Sequence, residues 1–327
     1  MKQRLFMSRH DAEWQAFAAQ LEALERGGKT AATAYRDFPA AYRRLCQQLA
    51  VARARGYSEH SIAHLQQLAQ RGHQQLYRHR SPLTGRLLGF VLGGLARLVR
   101  KEWRYVLAAS LLFYGSLLGS GLLVYFVPEQ VFSFIAPEQV EQMEAMFDPQ
   151  ARRLGRFSER GAGDDWLMFG YYVMNNIGIA FQTFAGGLLF GLGSLFYLLF
   201  NGLTIGAVAG HLTGIGYHQP FWSFVIGHGA FELTAITLAG AAGLKLGSAL
   251  IAPGRHARSE ALKLAAQKAV RLVAGATLML LIAAFVEAYW SSMTYVDASV
   301  KYAVGMVLWL LVGLYLWRSG RNRHAPE

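Results

Sequence analysis

Apolar positions recur at helical spacing through the first eighty residues and then run together into long uninterrupted blocks. In the first stretch, Trp14, Phe17, Leu21 and Leu24 share one side of a helix near His10–Arg26, which Gly27 and Gly28 end. Phe38, Tyr42, Leu45 and Leu49 line a second helix near Asp37–Arg55, with Asp37 placed to cap it and Gly56 to stop it. A third starts after Ser58, another capping candidate, and carries Ile62, Leu65, Leu68 and Leu76. Short connections punctuated by Gly favour antiparallel neighbours, so residues 1–80 read as a small soluble helical domain with its aromatics in the core.

Residues 81–104 mix Leu87, Leu88, Phe90, Val91, Leu95 and Leu98 with Arg86, Arg97, Arg100, Lys101 and Arg104. That pattern predicts an amphipathic helix lying on a membrane surface and leading into a span. The block 105–317 follows as a transmembrane bundle. Its first span is Tyr105–Val127, 23 residues without charge, and Pro128 ends it. From Trp166 through Phe231 there are 66 residues with no Asp, Glu, Lys or Arg, a length that only the bilayer explains simply. Gly and Pro punctuation divides the apolar chain into further spans at about 167–187, 188–212, 222–244, 272–290 and 302–317. The fold class is therefore all-α: a polytopic helical membrane protein of about six transmembrane helices behind a small soluble domain.

Charge sets the expected orientation. Segment 128–165 carries eight acidic and four basic residues, and contains Pro-Glu-Gln-Val at 128–131 and again at 137–140. Two short helices are expected there, each with Pro in its first turn, on the extracytoplasmic side. Segment 245–271 carries six Lys or Arg against one Glu and reads as a cytoplasmic loop. An odd number of spans must separate the two, and three fit. Both termini are then cytoplasmic, in a bacterial inner membrane. The net charge of +12 reflects these flanking residues, so membrane lipids are the expected partner and nucleic acid is not. Residues Met1–Trp14 lack the apolar core of a signal peptide, so the span near Tyr105 is expected to direct insertion. The single cysteine, Cys46, has no internal disulfide partner and reads as a core residue.

Candidate chemistry is concentrated in the uncharged region. It holds Asn175, Asn176, Asn201, His211 and His228, followed at once by Glu232. Polar side chains are costly against lipid and should face the bundle interior. His228 and Glu232 are four apart and share a helix face. A buried structural network with Asn175, Asn176 and Asn201 is the first reading. A proton or solute pathway, or a metal centre drawing on His211 or His218, are the alternatives, and no metal or cofactor is assigned. Gly187 and Gly191 are four apart, as are Gly202, Gly206 and Gly210, which lets helices approach closely within the bundle or between protomers of a homo-oligomer. No phosphate-binding loop, Gly-x-Ser-x-Gly or Cys-x-x-Cys motif is present, so no catalytic residue is named and the chain is not expected to be an enzyme.

Three stretches resemble the stage II sporulation protein M family. They are Phe38–Leu45 with Arg71–Tyr77; Asn175-Asn176 with Phe184–Gly187 and Asn201-Gly202; and Gly227–Leu233 with Ala239–Leu244. The resemblance implies an inner-membrane protein of unestablished biochemistry, and a scaffold or assembly factor in cell-envelope processes is the leading reading. The namesake recruits cell-wall enzymes during engulfment. Relatives in bacteria that do not sporulate are often encoded beside a MoxR-type AAA+ ATPase and von Willebrand A-domain proteins, and the long N-terminal domain here favours that context. A transporter or channel at His228 and Glu232, and an intramembrane metal-dependent hydrolase, are the other readings.

The charge asymmetry gives a direct test of orientation. In a Cys46→Ser background, a membrane-impermeant thiol reagent added to intact spheroplasts should label a cysteine at Glu141 and leave one at Arg258 unmodified. Labelling at 258 alone would reverse the topology.

Overall fold

The computed structural model describes residues 3–26, 37–78, 83–150, 164–293 and 295–321. The chain divides into two compact units, Met1–Leu87 and Leu88–Glu327. Gly27 and Gly28 fall outside the described residues.

The first unit is built on α1 (Gln3–Arg26), α2 (Phe38–Ala54) and α3 (Glu59–Arg78). The expected faces are the buried ones: Trp14, Phe17, Leu21, Phe38, Leu45 and Leu65 close a common core. The first helix starts seven residues, about two turns, earlier than its apolar pattern predicts, and Phe6 joins the core from that extension. Asp37 holds the N-cap position of α2 but its side chain makes no capping hydrogen bond; Pro39 instead fixes the first turn. Gly56, at φ +60°, ends α2 in a Schellman motif: its N–H donates to the Arg53 carbonyl, and that of Tyr57 to Ala52. A methyl at Gly72 would meet the Phe17 and Tyr42 rings at 2.9 Å, so α3 closes on the other two helices there.

The second unit begins with a seven-residue helix, α4 (Leu83–Gly89), that straddles its boundary, then a π-helical turn (Phe90–Gly94) and α5 (Leu95–Lys101). The amphipathic helix expected over this stretch is thus broken, and Leu95, Leu98 and Val99 are buried in the bundle core. Next come α6 (Trp103–Phe126), a 3-10 turn (Pro128–Ser133) and α7 (Pro137–Phe147), the last two each opening on Pro as expected. Then come α8 (Asp164–Ala185), α9 (Leu192–Gly214), α10 (His218–Ile251), α11 (Arg258–Phe285), a second π-helical turn (Val286–Ser291) and α12 (Ala298–Arg318). Among the described residues, five helices are long and apolar enough to cross a membrane: α6, α9, α10, α11 with its π-turn, and α12. The sixth expected span is α8. It has 22 residues, but Asn175, Asn176 and Gln182 dilute its apolar character. The stretch 245–271 is helical except at 252–257, since α10 and α11 carry their charged ends beyond the apolar parts.

Helix α10 is the axis of the bundle. With 34 residues it is about 51 Å long, and α6, α8, α9, α11 and α12 all pack on it. Small residues make that possible. A methyl at Gly240 would collide with Leu198, and one at Gly243 with Ser194 and the Thr183 carbonyl. The tight α8–α9 connection presses backbone to backbone on the same helix, Gly187 against Gly243 and Gly191 against Gly247. Gly191 also needs its positive φ of 84° to make that turn. Gly202, Gly206 and Gly210 line the α9 face that meets α6, where Ser120 donates across the interface to the Leu203 carbonyl at 2.9 Å. The glycine stripes therefore serve packing inside the bundle.

At one end of the bundle Glu102, 6% exposed, accepts from Lys245 at 2.7 Å and Lys268 at 3.2 Å. Burial alone would push this carboxylate's pKa up; the hydrogen bonds and charges of the two lysines outweigh it and hold it below the usual range. Nearby, Arg100 closes the α12 C-terminus by donating to the carbonyls of Leu316 and Ser319, the latter at 2.6 Å.

Gly206 tests the α6–α9 contact. Gly206→Leu has no room beside the Leu117 carbonyl and should cost about 1–3 kcal/mol or more in detergent-solubilised protein. Gly119→Leu on α6, where nothing lies within 4 Å of the new methyl, should melt like the parent. Equal melting of the two variants would refute the contact.

Candidate functional site

A polar group in the bundle interior forms where α10, the second π-turn and α12 meet. His228 and Glu232 project from one face of α10, with His228 Nε2 3.8 Å from Glu232 Oε2. That is an ion-pair distance, beyond a direct hydrogen bond. Glycines flank the histidine, and Gly227 lets the π-turn side chains Val286 and Trp290 come close. A π-turn widens the helix so that residues four and five apart come round to one side. Here it turns Glu287 and Ser291 toward His228. Ser291 Oγ lies 3.0 Å from His228 Nδ1, and Phe224 packs edge-on against the imidazole.

His228, Glu232 and Glu287 each bring one donor atom into a group no more than 4.8 Å across. His228 is 5% and Glu287 9% exposed, and the Glu232 side chain 20%. From α12, Lys301, 2% exposed, donates to the Ser291 carbonyl at 2.9 Å. An imidazole and two carboxylates at this separation can share protons or ligate a cation.

The other sequence-based candidates lie elsewhere. His211 meets Glu144 of α7 at 2.7 Å, joining α9 to the segment after α6, and takes no part in the group around His228. His218 is exposed at the start of α10. Asn201 donates to the Tyr197 carbonyl of its own helix at 2.7 Å, the usual recourse of a short amide in an apolar helix. Asn175 is exposed and donates to Asn176 at 2.8 Å; Asn176 is buried, with its own Nδ2 unpartnered among the described residues. No described hydrogen bond joins these amides to His228 or Glu232, so the expected network is replaced by one built from the π-turn and α12. Glu287 and Lys301 were missed because each sits beside a span end and reads as interfacial. Glu287 is nonetheless the one formal charge between Arg271 and Asp297, which marks it for a buried role.

The model of the family described as Stage II sporulation protein M matches residues 105–292. The chain belongs to the stage II sporulation protein M family. The region matched to that family contains His228, Glu232, Glu287 and Ser291, while Lys301 lies beyond it. A separate model, of a domain of unknown function, matches residues 4–78. An uncharacterized protein of Methanocaldococcus jannaschii is 30% identical over 77 residues, which are 23% of this chain and 42% of that protein. The chain thus spans less than half the length of that curated relative. No solved structure matches.

The site predicts a specific stability effect. Lys301→Met keeps the stem but leaves the Ser291 carbonyl without its donor, at a cost of about 1–3 kcal/mol. The measurement is thermal denaturation in detergent, and an unchanged melting temperature would show that the ammonium is not seated there.

Proposed function

We propose that this member of the stage II sporulation protein M family is a scaffold or assembly factor of the bacterial inner membrane, with both termini cytoplasmic. In this reading residues 1–80 dock a soluble partner, and the bundle with segment 128–165 meets membrane or envelope partners. The observation that carries it is modularity. The N-terminal helices close a core of their own and match their own domain model, separate from the family match on the bundle. A unit that stabilises itself needs no membrane contact for its fold, which leaves its surface available for a partner.

That surface offers a recognition feature. A cleft of about 150 Å³ between α1 and α2 is lined by Trp14, Phe17, Gln20, Arg44 and Gln48, among others. Gln20 Oε1 is buried and without a hydrogen-bond partner among the described residues. Trp14 and Glu13 are both held at the rim by Gln48, through bonds of 2.6 Å each. A MoxR-type AAA+ ATPase, von Willebrand A-domain proteins and cell-wall enzymes are the partner classes that the family context suggests.

The test separates docking from insertion. A chain lacking residues 1–80 should still insert into the membrane and yet fail to rescue a deletion strain. A photo-crosslinker at Arg44 of the full chain should capture a soluble protein in cells, whereas one at the exposed Phe196 of the bundle should not. Full rescue by the truncated chain would rule the docking role out.

A further inference from the structure

We propose that His228, Glu232 and Glu287 bind one divalent transition-metal cation within the bundle. The inference stands independently of the docking role.

The donor set comes first. Three protein ligands at about 2.0–2.2 Å from a metal lie roughly 3.4 Å from one another. The three donor atoms here lie within 4.8 Å of one another, so small carboxylate rotations close the set. One imidazole nitrogen with carboxylate oxygens suits zinc, iron or manganese, and the group contains no thiolate to favour Cu(I). Three ligands also leave a coordination position open, as in sites that do more than hold a fold together.

The surroundings support the same assignment. A metal-bound histidine is held through its other ring nitrogen, and His228 Nδ1 has the Ser291 hydroxyl at 3.0 Å for that purpose. With Nδ1–H donating to Ser291, the Nε2 lone pair lies 3.8 Å from the Glu232 carboxylate. Lone pair against carboxylate is repulsive in a low-dielectric interior, and a cation among the three reverses the sign. Two carboxylates also match the charge of a divalent ion. Lys301 is engaged with the Ser291 carbonyl, behind the hydroxyl that orients the histidine. The ligands come from one long helix and one π-turn, and π-turns inside α-helices recur at functional sites.

The experiment uses the untagged full chain in detergent, stripped with a chelator and titrated with Zn²⁺ and with Co²⁺. One equivalent should bind, with a Co²⁺ visible spectrum of four or five coordination. Glu232→Gln and Glu287→Gln keep side-chain volume and should each weaken binding at least 100-fold. Ser291→Ala, which touches the metal only through His228, should weaken it about 10–100-fold. His211→Gln, in the separate pair with Glu144, should bind as the parent does. Should a Gln variant fail to fold, zinc-edge X-ray absorption on the parent chain decides the matter: a shell of nitrogen and carboxylate oxygen supports the site. Substoichiometric uptake of both metals, parental affinity in folded Glu287→Gln, or a shell without nitrogen overturns it.

Discussion

The bundle depends on how closely other backbones can approach α10. Lipid tails are as apolar as the side chains of a span, so burial of apolar area gives little reason for one helix to prefer another over lipid. What remains is contact between backbones, and this needs small residues. Gly240, Gly243 and Gly247 of α10 receive Leu198, Ser194 and Gly191 from α9 and its connection, and Gly187 closes on Gly243 from the α8 side. On the other side of α9, three glycines repeat the arrangement against α6. Once these approaches are fixed, the remaining helices have few ways to pack, and the position of His228 on α10 follows.

That packing makes polar groups in the interior tolerable. Three of those found there are held by another element: the Ser291 carbonyl by Lys301, His228 by Ser291, and Ser120 by the Leu203 carbonyl. At the end of the bundle, Glu102 shows what paired charge does when buried. Two lysines from different helices reach it, and its carboxylate stays ionised despite burial. Because its pKa is depressed, the stabilisation from this cluster is complete above the ordinary carboxylate range and fades only as pH falls through the lowered value.

Most of the architecture was legible in the sequence. Trp14, Phe17, Phe38 and Leu65 announced the core of the first unit by spacing alone, and the uncharged run from Trp166 to Phe231 announced the bundle. The glycine spacing pointed to close helix contacts, though not to which helices. The candidate site was half legible. His228 and Glu232 were visible because i and i+4 on a helix need no tertiary knowledge. Glu287, Ser291 and Lys301 were not, since a π-turn has no strong sequence signature and residues sixty or seventy positions away meet only through packing. The amides misled for a related reason. Asn201 satisfies itself along its own helix, a local solution that hydropathy does not distinguish from a partner across the bundle.

The π-turn at Val286–Ser291 has a consequence of a different kind. It accommodates more chain per turn than regular α-helix would. The alignment of Glu287 with Ser291 is thus a matter of residue count as well as residue identity. Losing one residue from the turn would let the segment relax to ordinary winding with the chain beyond it still facing as before, while re-aiming the side chains inside the turn, Glu287 and Ser291 among them. Substitution scans are blind to such a determinant. Length polymorphism at this position would reveal it, and two homologues with identical polar residues but different spacing here would not share the same site.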